Sequence, residues 1–502
     1  MEKPPKINRR EFIGSAAAAS FALTTVPRHV LGGPGYIPPS DKITLGYIGC
    51  GTQGIREMAQ LLQNPDIQIV AVCDPNKYTT DYVDWSLNNI RDTMRRTLQD
   101  NSWGEGIKGI PGGRDLGLEL VQKYYGRAKA SGTYRGCSSY EDFRELLEKE
   151  RDMNTIKIMT PDHLHAAVAV ASMKKGKHVV THKPIANRMK EAKITIETAK
   201  SSGLVTHLLA WSHKPEYEVI KKWIDEGRIG RLMEIHNWSN RPVWPQWQTE
   251  PADRPPVPEG LNWDLWLGPV PERPYHPSYT HAVFRGWYDF GAGSIADMGH
   301  YSLFPLFLKL GISAPAASAE AYATTTCAIR NNVAVGIRND AAFPLSCIIR
   351  FRFRDMPGIK AFDLFWYDGG MKPATPEEVL AEGGSLEREG LMFVGEKGKI
   401  IGQFRGEKPV LYIDGKRSGG QEEAAVAAEQ GSRDIWIDAI KNNSQSPGSF
   451  IYAGPVTETI LLGGVALRAG RRVEYDSSEM KITNYPEADK FLTREYRPGW
   501  EL

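Results

Sequence analysis

The stretch ITLGYIGCGTQGIREMAQLLQNPDIQIVAVCD, residues Ile43–Asp74, decides how this chain begins to fold. Its apolar run Ile43–Ile48 predicts a buried strand, and the following segment Ile55–Gln63 predicts a helix. The run Ile67–Cys73 is rich in β-branched residues and predicts a second strand that ends at Asp74. A strand, a helix and a second strand in this order predict the start of a parallel α/β sheet.

Three glycines with the spacing G-x-G-x-x-G connect the first strand to the helix. Gly49 makes the tight turn, Gly51 lets the backbone approach a pyrophosphate, and Gly54 lets helix and strand pack closely. Thr52 and Gln53 lie at the helix N-terminus, where free N–H groups and a partial positive charge favour phosphates. The loop therefore predicts a dinucleotide site in an N-terminal Rossmann domain.

The acid at the end of the second strand indicates which dinucleotide is bound. Asp74 lies 20 residues after Gly54, where a carboxylate accepts hydrogen bonds from the adenosine ribose hydroxyls. A carboxylate repels a 2′-phosphate, and no arginine immediately follows it. We therefore expect NAD as the cofactor, with NADP less favoured.

The N-terminus has the features of an export signal. Arg9 and Arg10 precede Glu11-Phe12-Ile13, and the small-residue apolar run Gly14–Leu23 follows. This run is too short to span a bilayer. We interpret residues 1–40 as a twin-arginine signal and linker, which predicts a periplasmic protein; the alternative is a disordered basic tail.

Bulk composition excludes several classes of protein. Lys and Arg number 62 against 60 Asp and Glu, and no basic stripe interleaved with aromatics occurs, so nucleic acid is not an expected partner. No apolar run of 18 residues follows the signal, so no membrane span is expected in the mature protein. The five cysteines are scattered and never in C-x-x-C, which indicates neither a disulfide framework nor a zinc site.

The α/β pattern continues after a long polar stretch, Pro75–Arg114, which we interpret as an insertion that covers a site or joins subunits. Leu116–Tyr125 and Tyr140–Lys149 read as helices. Further on, Thr155–Met159 and His178–Thr181 are predicted strands.

Two motifs follow these last strands. Because ligands bind outside the carboxyl ends of parallel strands, His165 and Lys183 are both expected at the functional edge of the sheet. Asp162 is predicted to cap the helix Leu164–Lys175. His163 and His165 are two residues apart, which is not the helical spacing of metal ligands, so no metal is predicted.

With these motifs the chain resembles the Gfo/Idh/MocA oxidoreductases, the family of glucose–fructose oxidoreductase and inositol dehydrogenase. The resemblance implies a Rossmann domain over residues 41–205 and a substrate-binding and oligomerisation domain over 206–502, built on a large, mostly antiparallel sheet. It also implies that Thr160, Pro161, His165 and Lys183 join the glycine loop around the cofactor, and that the protein is a homo-oligomer. The resemblance rests on Gly49–Gly54, Thr160–His165, Lys175–Val179, Lys183-Pro184, Lys222–Gly230 and Gly291–His300.

The chain departs from the family pattern at two places. His182 stands where the family usually has Glu before Lys-Pro, and His300 follows Asp297 by three residues where the family's His follows by four. Tyr301 occupies that fourth place. We expect Lys183, Asp297 and His300 to be catalytic, with His300 as the general base; Tyr301 in that role is the alternative.

An aromatic segment opens the second domain. Eight of the thirteen tryptophans lie between Trp211 and Trp287. Around Trp238 and Trp244 they alternate with polar residues and prolines, a mixture that suits the apolar face and hydroxyl edge of a sugar ring. The predicted substrate-binding residues are Lys183, His213, Trp238, Arg241, Trp244, Asp297 and His300.

These residues favour an NAD-dependent oxidoreductase acting on a hydroxyl of a sugar, polyol or glycoside, with C3 of a pyranoside as one candidate position. Two other functions stay open. One is a redox-neutral glycosidase that oxidises C3 transiently with bound NAD and then eliminates the aglycone, as some members of the family do. The other is a non-catalytic sensor of sugar or NAD.

Overall fold

The computed structural model describes residues 41–337, 339–420 and 432–502. The predicted signal and linker, residues 1–40, lie outside this part of the chain.

Six parallel strands form the first sheet, in the order β3-β2-β1-β4-β5-β6. The strands of this sheet that the sequence predicts are apolar. This agrees with a parallel sheet that helices cover on both faces. The strand order reverses between β1 and β4. At such a reversal a crevice opens outside the carboxyl ends of the strands, where ligands bind. The strands are β1 (Ile43–Ile48), β2 (Ile67–Cys73), β3 (Ser138–Tyr140), β4 (Thr155–Ile158), β5 (His178–Thr181) and β6 (Thr206–Leu208).

Helices connect these strands close to where the sequence predicts them, with one exception. The predicted helix Tyr140–Lys149 is wrong at its start, because Tyr140 pairs with Cys73 in the sheet and the Asp142 side chain accepts a hydrogen bond from the Arg144 N–H. The helices are α1 (Thr52–Leu61), α2 (Asn89–Leu98), α3 (Arg114–Gly126), α4 (Phe143–Lys149), α5 (His165–Lys174) and α6 (Met189–Ser202).

A ten-stranded sheet follows, and every adjacent pair in it is antiparallel except β7 and β12. Strands β9 and β10 form a separate hairpin. The prediction of a parallel Rossmann sheet followed by a large, mostly antiparallel sheet is confirmed. The strands are β7 (Leu232–Trp238), β8 (Ser318–Ala323), β9 (Thr326–Arg330), β10 (Val333–Ile337), β11 (Cys347–Arg352), β12 (Asp363–Tyr367), β13 (Gly390–Gly395), β14 (Gly398–Gly402), β15 (Val410–Ile413), β16 (Lys416–Gly419), β17 (Val473–Asp476) and β18 (Lys481–Ile482).

Helices from the second half of the chain pack on this sheet and on the Rossmann domain. The longest is apolar on most of its surface and lies between α6 and β8. By length and composition it is the one helix of the described residues that could cross a membrane, but 72% of its apolar window is buried against protein. The helices are α7 (Pro215–Asp225), α8 (Trp263–Leu267), α9 (His300–Leu310), α10 (Glu377–Ala381), α11 (Ser432–Lys441) and α12 (Phe450–Ala469).

Candidate functional site

One cavity lies at the carboxyl end of the Rossmann sheet and extends to the second half of the chain. We call it the main cavity. Most of the residues predicted to hold a dinucleotide border it, together with groups from the insertion after β2. Its wall includes Gly49, Gly51, Thr52, Gln53, Gly54, Asp74, Tyr82, Thr160, Pro161, Asp162, His182, His281 and Arg285.

The glycine loop has the close backbone contacts that a dinucleotide cradle needs. Gly49 has a φ of +101°, and a Cβ there would lie 2.5 Å from the Met159 carbonyl. A Cβ on Gly54 would lie 2.2 Å from the Gly49 carbonyl oxygen. Gly51 precedes α1 and no side chain caps that helix, so its first amides are available to phosphate oxygens. The loop therefore fits the pyrophosphate of a dinucleotide.

Asp74 has a structural role that the sequence does not indicate. One carboxylate oxygen accepts a hydrogen bond from the Cys50 N–H at 2.7 Å, and the other from the Asn76 N–H at 2.8 Å. Arg114 Nη1 donates to the Asp74 main-chain carbonyl at 2.9 Å. Burial raises the pKa of Asp74, while these N–H donors and Arg114 oppose the rise. Asp74 thus braces the glycine loop and also borders the main cavity.

We expect Asp74→Ser to weaken NAD binding and to reduce the preference for NAD over NADP about tenfold, because it removes both the ribose acceptor and the charge that repels a 2′-phosphate. Dissociation constants for both dinucleotides measure this. Asp92→Ser, at an exposed position on α2, is the control. Equal affinities of the wild type for NAD and NADP would contradict the role given to Asp74.

The insertion after β2 covers the glycine loop. Tyr82 lies 3.2 Å from where a Cβ on Gly51 would be, and its ring packs against His281 with 4.1 Å between centroids. Asp84 pairs with Arg56 on α1 at 2.6 Å. The sequence predicts that the insertion either covers a site or joins subunits. These contacts with the glycine loop are consistent with the first role.

His165 holds together the two loops that follow β4 and β5. Its Nδ1 lies 2.5 Å from the Pro184 carbonyl oxygen and its Nε2 lies 2.9 Å from that of Thr160. Burial lowers the pKa of His165 to about 4, so the ring is neutral and its single N–H donates to one of these two carbonyl oxygens at a time. His165 lies behind the main cavity rather than in its wall, and it fixes the loop that carries Lys183, whose bond to Pro184 is cis.

Lys183 and Asp297 meet at the centre of the site. Lys183 Nζ donates to Asp297 Oδ1 at 2.5 Å, and Arg285 Nε donates to the same oxygen at 3.0 Å. Arg241 Nε lies 3.9 Å from Asp297 Oδ2. Burial opposes ionisation of Asp297, but Lys183 and Arg285 outweigh it and hold its pKa below the usual range. Burial lowers the pKa of Lys183, and Asp297 opposes that shift.

Tyr301, and not His300, faces the groups that border the main cavity. The Tyr301 hydroxyl lies 3.1 Å from His182 Nε2, and Lys183 Nζ lies 5.1 Å from the centre of the Tyr301 ring. Burial lowers the pKa of His182 and raises that of Tyr301, so both are neutral. A neutral phenol can donate to a neutral imidazole, which gives a path for a proton between the two residues.

The expectation that His300 is the general base is not supported by its contacts. His300 Nδ1 lies 3.0 Å from the Ala296 carbonyl oxygen and Nε2 lies 3.4 Å from Thr457 Oγ1. Its side chain is fully buried, and burial lowers its pKa to about 4. Residues Ile295–Gly299 form a π-helical turn. This turn is wider than an α-helical one, so the residue four after Asp297 shares its face better than the residue three after.

Asp162 does not cap α5 as predicted. Its Oδ2 accepts a hydrogen bond from the Ala292 N–H at 3.2 Å, which ties the Rossmann domain to the segment before Asp297. Burial raises the pKa of Asp162 to about 7, against the influence of Arg285 and Lys183. A carboxyl group that titrates near neutrality thus borders the main cavity.

This pKa has a consequence for stability. Unfolded Asp ionises near pH 3.9, whereas folded Asp162 keeps its proton to about pH 7, so its contribution to stability falls as pH rises between these values. We expect Asp162→Asn to raise the free energy of unfolding of the apo-protein at pH 8 by a few kcal/mol at most, and so to raise its melting temperature relative to wild type. At pH 4 the substitution should change both quantities little. Melting curves across this range measure the difference. A difference that does not vary with pH would contradict the shifted pKa.

The predicted substrate-binding residues lie in different environments. Trp238 lies in the core, because its strand, β7, is a central strand of the sheet. The Trp238 indole N–H donates to the Glu387 carbonyl at 3.0 Å. The prediction that Trp238 faces a sugar is therefore wrong. His213 is half-buried in the loop between β6 and α7. Trp244 lies beside the site, with the Arg285 guanidinium 5.9 Å from its ring centre, and Arg241 lies near Asp297.

Sequence reasoning missed Arg285, Tyr82 and the role of His182. Arg285 lies in a short 3-10 helix, His281–Gly286, with no spacing that marks it as a partner of Asp297. The sequence did contain a signal for His182, because His182 stands next to Lys183 where the resembled family usually has Glu, and such a replacement predicts altered proton transfer.

Two family models match the chain. Residues 118–209 match the NAD-binding Rossmann fold of the Gfo/Idh/MocA oxidoreductase family, and residues 216–321 match the family's C-terminal alpha/beta domain. The prediction of an NAD-binding Rossmann domain is confirmed by the first match.

Several proteins match parts of the chain in amino-acid sequence. Levoglucosan dehydrogenase of Pseudarthrobacter phenanthrenivorans is 32% identical over 125 residues, which are 24% of this chain and 32% of that protein. A glycosyl hydrolase family 109 protein of Shewanella pealeana is 23% identical over 209 residues, 39% of this chain and 37% of that protein. The matched stretches thus span about a third of the length of these relatives.

A solved structure shares the fold. The WlbA dehydrogenase of Bordetella pertussis, solved in complex with NADH and UDP-GlcNAcA, aligns with 87% of this chain and 99% of its own at a TM-score of 0.50 and 15% identity. At this identity the likeness concerns the fold alone. Together, the two domain models and the sequence relatives support the assignment of this chain to the Gfo/Idh/MocA family of oxidoreductases.

Proposed function

We propose that the protein is an NAD-dependent dehydrogenase that oxidises a hydroxyl of a sugar, polyol or glycoside. The observation that carries this proposal is the contact between Lys183 and Asp297 beside the main cavity, at the carboxyl end of β5. Sugar-related enzymes among the relatives support the substrate class. NAD, when bound, accepts the hydride that leaves the substrate carbon.

Lys183 stabilises charge on the substrate oxygen. As hydride leaves the carbon, the hydroxyl oxygen gains negative charge, and an ammonium group held in a buried site stabilises this charge more than water does. Asp297 keeps Lys183 ionised despite burial and orients it. Arg285 donates to the same Asp297 oxygen as Lys183, and Arg241 adds a positive charge 3.9 Å from the other oxygen.

Tyr301 and His182 carry the proton. The substrate hydroxyl proton moves to the Tyr301 oxygen while the phenol's own proton moves to His182 Nε2, so that Tyr301 never has to ionise fully. Burial opposes a charged tyrosinate and, together with Lys183 and Arg285, also opposes a charged His182. The proton therefore passes through this pair in a concerted step and leaves from His182 to solvent in the main cavity, which His182 borders, so that neither residue has to keep it. In the reverse direction the same phenol protonates a carbonyl oxygen.

A glycoside panel tests the proposed function against its two rivals. Purified protein is incubated with neutral and acidic sugars and with aryl glycosides, and absorbance of bound NADH and release of the aglycone are both followed. Reduction without release supports the dehydrogenase. Release without net reduction supports a redox-neutral glycosidase, and binding without either supports a sensor.

We also propose that the protein is exported by the twin-arginine pathway and acts in the periplasm. Arg9 and Arg10 lie outside the described residues, and the proposal rests on their sequence context alone. Replacing both with Lys keeps the charge but loses the guanidinium geometry. We expect the doubly substituted protein to stay in the cytoplasm with unchanged activity, as measured by cell fractionation; its appearance in the periplasm would contradict this.

The domain boundary near residue 205 and the homo-oligomeric state are further proposals. The strands of the first sheet end at Leu208 and those of the second begin at Leu232, which is compatible with a boundary in this region. Light scattering of the purified protein tests the oligomeric state, and a monomer would contradict it.

A further inference from the structure

A second cavity is lined by the two chain neighbours of Arg241, a residue near Asp297, and we call it the side cavity. Asn240, Pro242 and Trp244 line it on one side, and Lys372 and Arg388 line it on the other. No acidic side chain is among its lining residues in the described part of the chain.

The side cavity is one side chain away from the catalytic carboxylate. Arg241 Nη1 donates to Asn240 Oδ1 at 2.8 Å, while its Nε lies 3.9 Å from Asp297. Trp244 makes a parallel connection, because its ring lies 5.9 Å from the Arg285 guanidinium, which hydrogen-bonds Asp297. Arg241 and Trp244 therefore connect the wall of the side cavity to the groups around Asp297.

The charges of this region are not balanced. Three cations, Lys183, Arg285 and Arg241, converge on the single carboxylate of Asp297. At the side cavity, Arg388 and Lys372 are exposed; no described residue forms an ion pair with either of them, and Lys372 Nζ donates to the Leu386 main-chain carbonyl. The region can therefore accept additional negative charge from a ligand.

Two buried donor atoms, one in this wall and one beside it, also lack hydrogen-bond acceptors among the described residues. Trp244 is 7% exposed, and its indole N–H has no acceptor among the described residues. Arg241 Nε likewise has no hydrogen-bond acceptor there. Buried donors without acceptors are uncommon in native proteins, and a ligand often supplies the missing acceptor.

A nearby acid is already engaged. Glu389 Oε1 accepts hydrogen bonds from Ser239 Oγ at 2.7 Å and from the Asn240 N–H at 3.1 Å. It holds the wall of the side cavity in place, and among the described residues it forms no ion pair with Lys372 or with the adjacent Arg388.

We propose that the substrate carries an anionic group, a carboxylate or a phosphate, which binds in the side cavity while the reacting carbon faces Lys183. The preferred substrates are then acidic sugar derivatives. This proposal rests on the proposed dehydrogenase function and specifies its substrate class.

The test compares three matched ligands on the enzyme loaded with NAD: a neutral methyl hexopyranoside, the corresponding uronate and the corresponding 6-phosphate. Dissociation constants are measured by calorimetry, separately from the reduction of bound NAD. We expect at least one acidic ligand to bind about tenfold more tightly than the neutral one, as charge-assisted hydrogen bonds allow. We expect Arg388→Gln and Lys372→Gln each to reduce this preference, and Arg417→Gln, at an exposed position on β16, to leave it unchanged.

Each outcome has one meaning. Preference for the uronate alone or for the phosphate alone supports the proposal and identifies the anionic group. Equal affinities for all three ligands overturn it, even if a neutral sugar reduces bound NAD and the dehydrogenase function stands. A preference that survives in both Arg388→Gln and Lys372→Gln also overturns it, because the anion then binds elsewhere. Tight binding of acidic ligands without any reduction of NAD contradicts the dehydrogenase function and not the charge preference.

Discussion

Lys183→Ala is expected to lower kcat by about 10³-fold or more, because it removes the buried cation that stabilises the developing alkoxide. The loss concerns the transition state, so it should appear in kcat and in kcat/KM alike. NAD affinity should change little, because the glycine loop and Asp74 lie on other strand ends. Turnover with the best substrate of the glycoside panel, together with titration of NAD, measures both quantities.

The control for this prediction is Lys190→Ala, which removes an exposed lysine at the start of α6. Its activity should equal that of wild type. A Lys183→Ala enzyme that retains more than about a tenth of wild-type kcat would contradict the role of Lys183, since one positioned charge in such a site typically contributes 10²-fold or more. Loss of NAD binding in Lys183→Ala would instead indicate a defect of the cofactor site.

Tyr301→Phe is expected to lower kcat by about 10²- to 10⁴-fold, the usual range for loss of a general acid or base. The substitution removes the hydroxyl that meets His182 and keeps the ring, which still packs near Lys183 and Arg405. KM and the melting temperature should therefore change little. Steady-state kinetics and thermal unfolding of the same preparation separate a chemical effect from a folding effect.

His300→Gln is the matched comparison, because His300 is the adjacent residue and the sequence alone favours it as the base. Its ring nitrogens lie near Ala296 and Thr457 inside the fold. We expect this variant to lose stability and to retain kcat within about tenfold, as a structural substitution does. An inactive but folded His300→Gln beside an active Tyr301→Phe would return the role of the base to His300.

Much of the first domain could be predicted because its signals are local. The strands Ile43–Ile48, Ile67–Cys73 and His178–Thr181 have the predicted bounds, since a buried parallel strand is a continuous apolar run bounded by polar or glycine residues. The glycine spacing and the position of Lys183 after a strand are local as well. The short strand at Tyr140 was missed, because its pairing with β2 depends on residues far away in the chain.

The proposed catalytic arrangement depends on contacts that a sequence does not encode in a simple spacing. Arg285 hydrogen-bonds Asp297, which is 12 residues further along the chain, and no periodic pattern links the two positions. His182 contacts Tyr301, from which it is 119 residues away in the chain. The polar residues and prolines near Trp238 in the chain predict a sugar-binding residue. Trp238 instead belongs to the core, because it lies on a central strand and strand pairing decides which face of the sheet a side chain occupies.

The sequence by itself determined the α/β order of the first domain, the glycine loop, the acid after β2 and the lysine after β5, because each depends on residues adjacent in the chain. The tertiary structure alone decided which residue after Asp297 faces the site. A single π-helical turn at Ile295–Gly299 widens the helix there, and this change of phase directs Tyr301 towards His182 and His300 into the core.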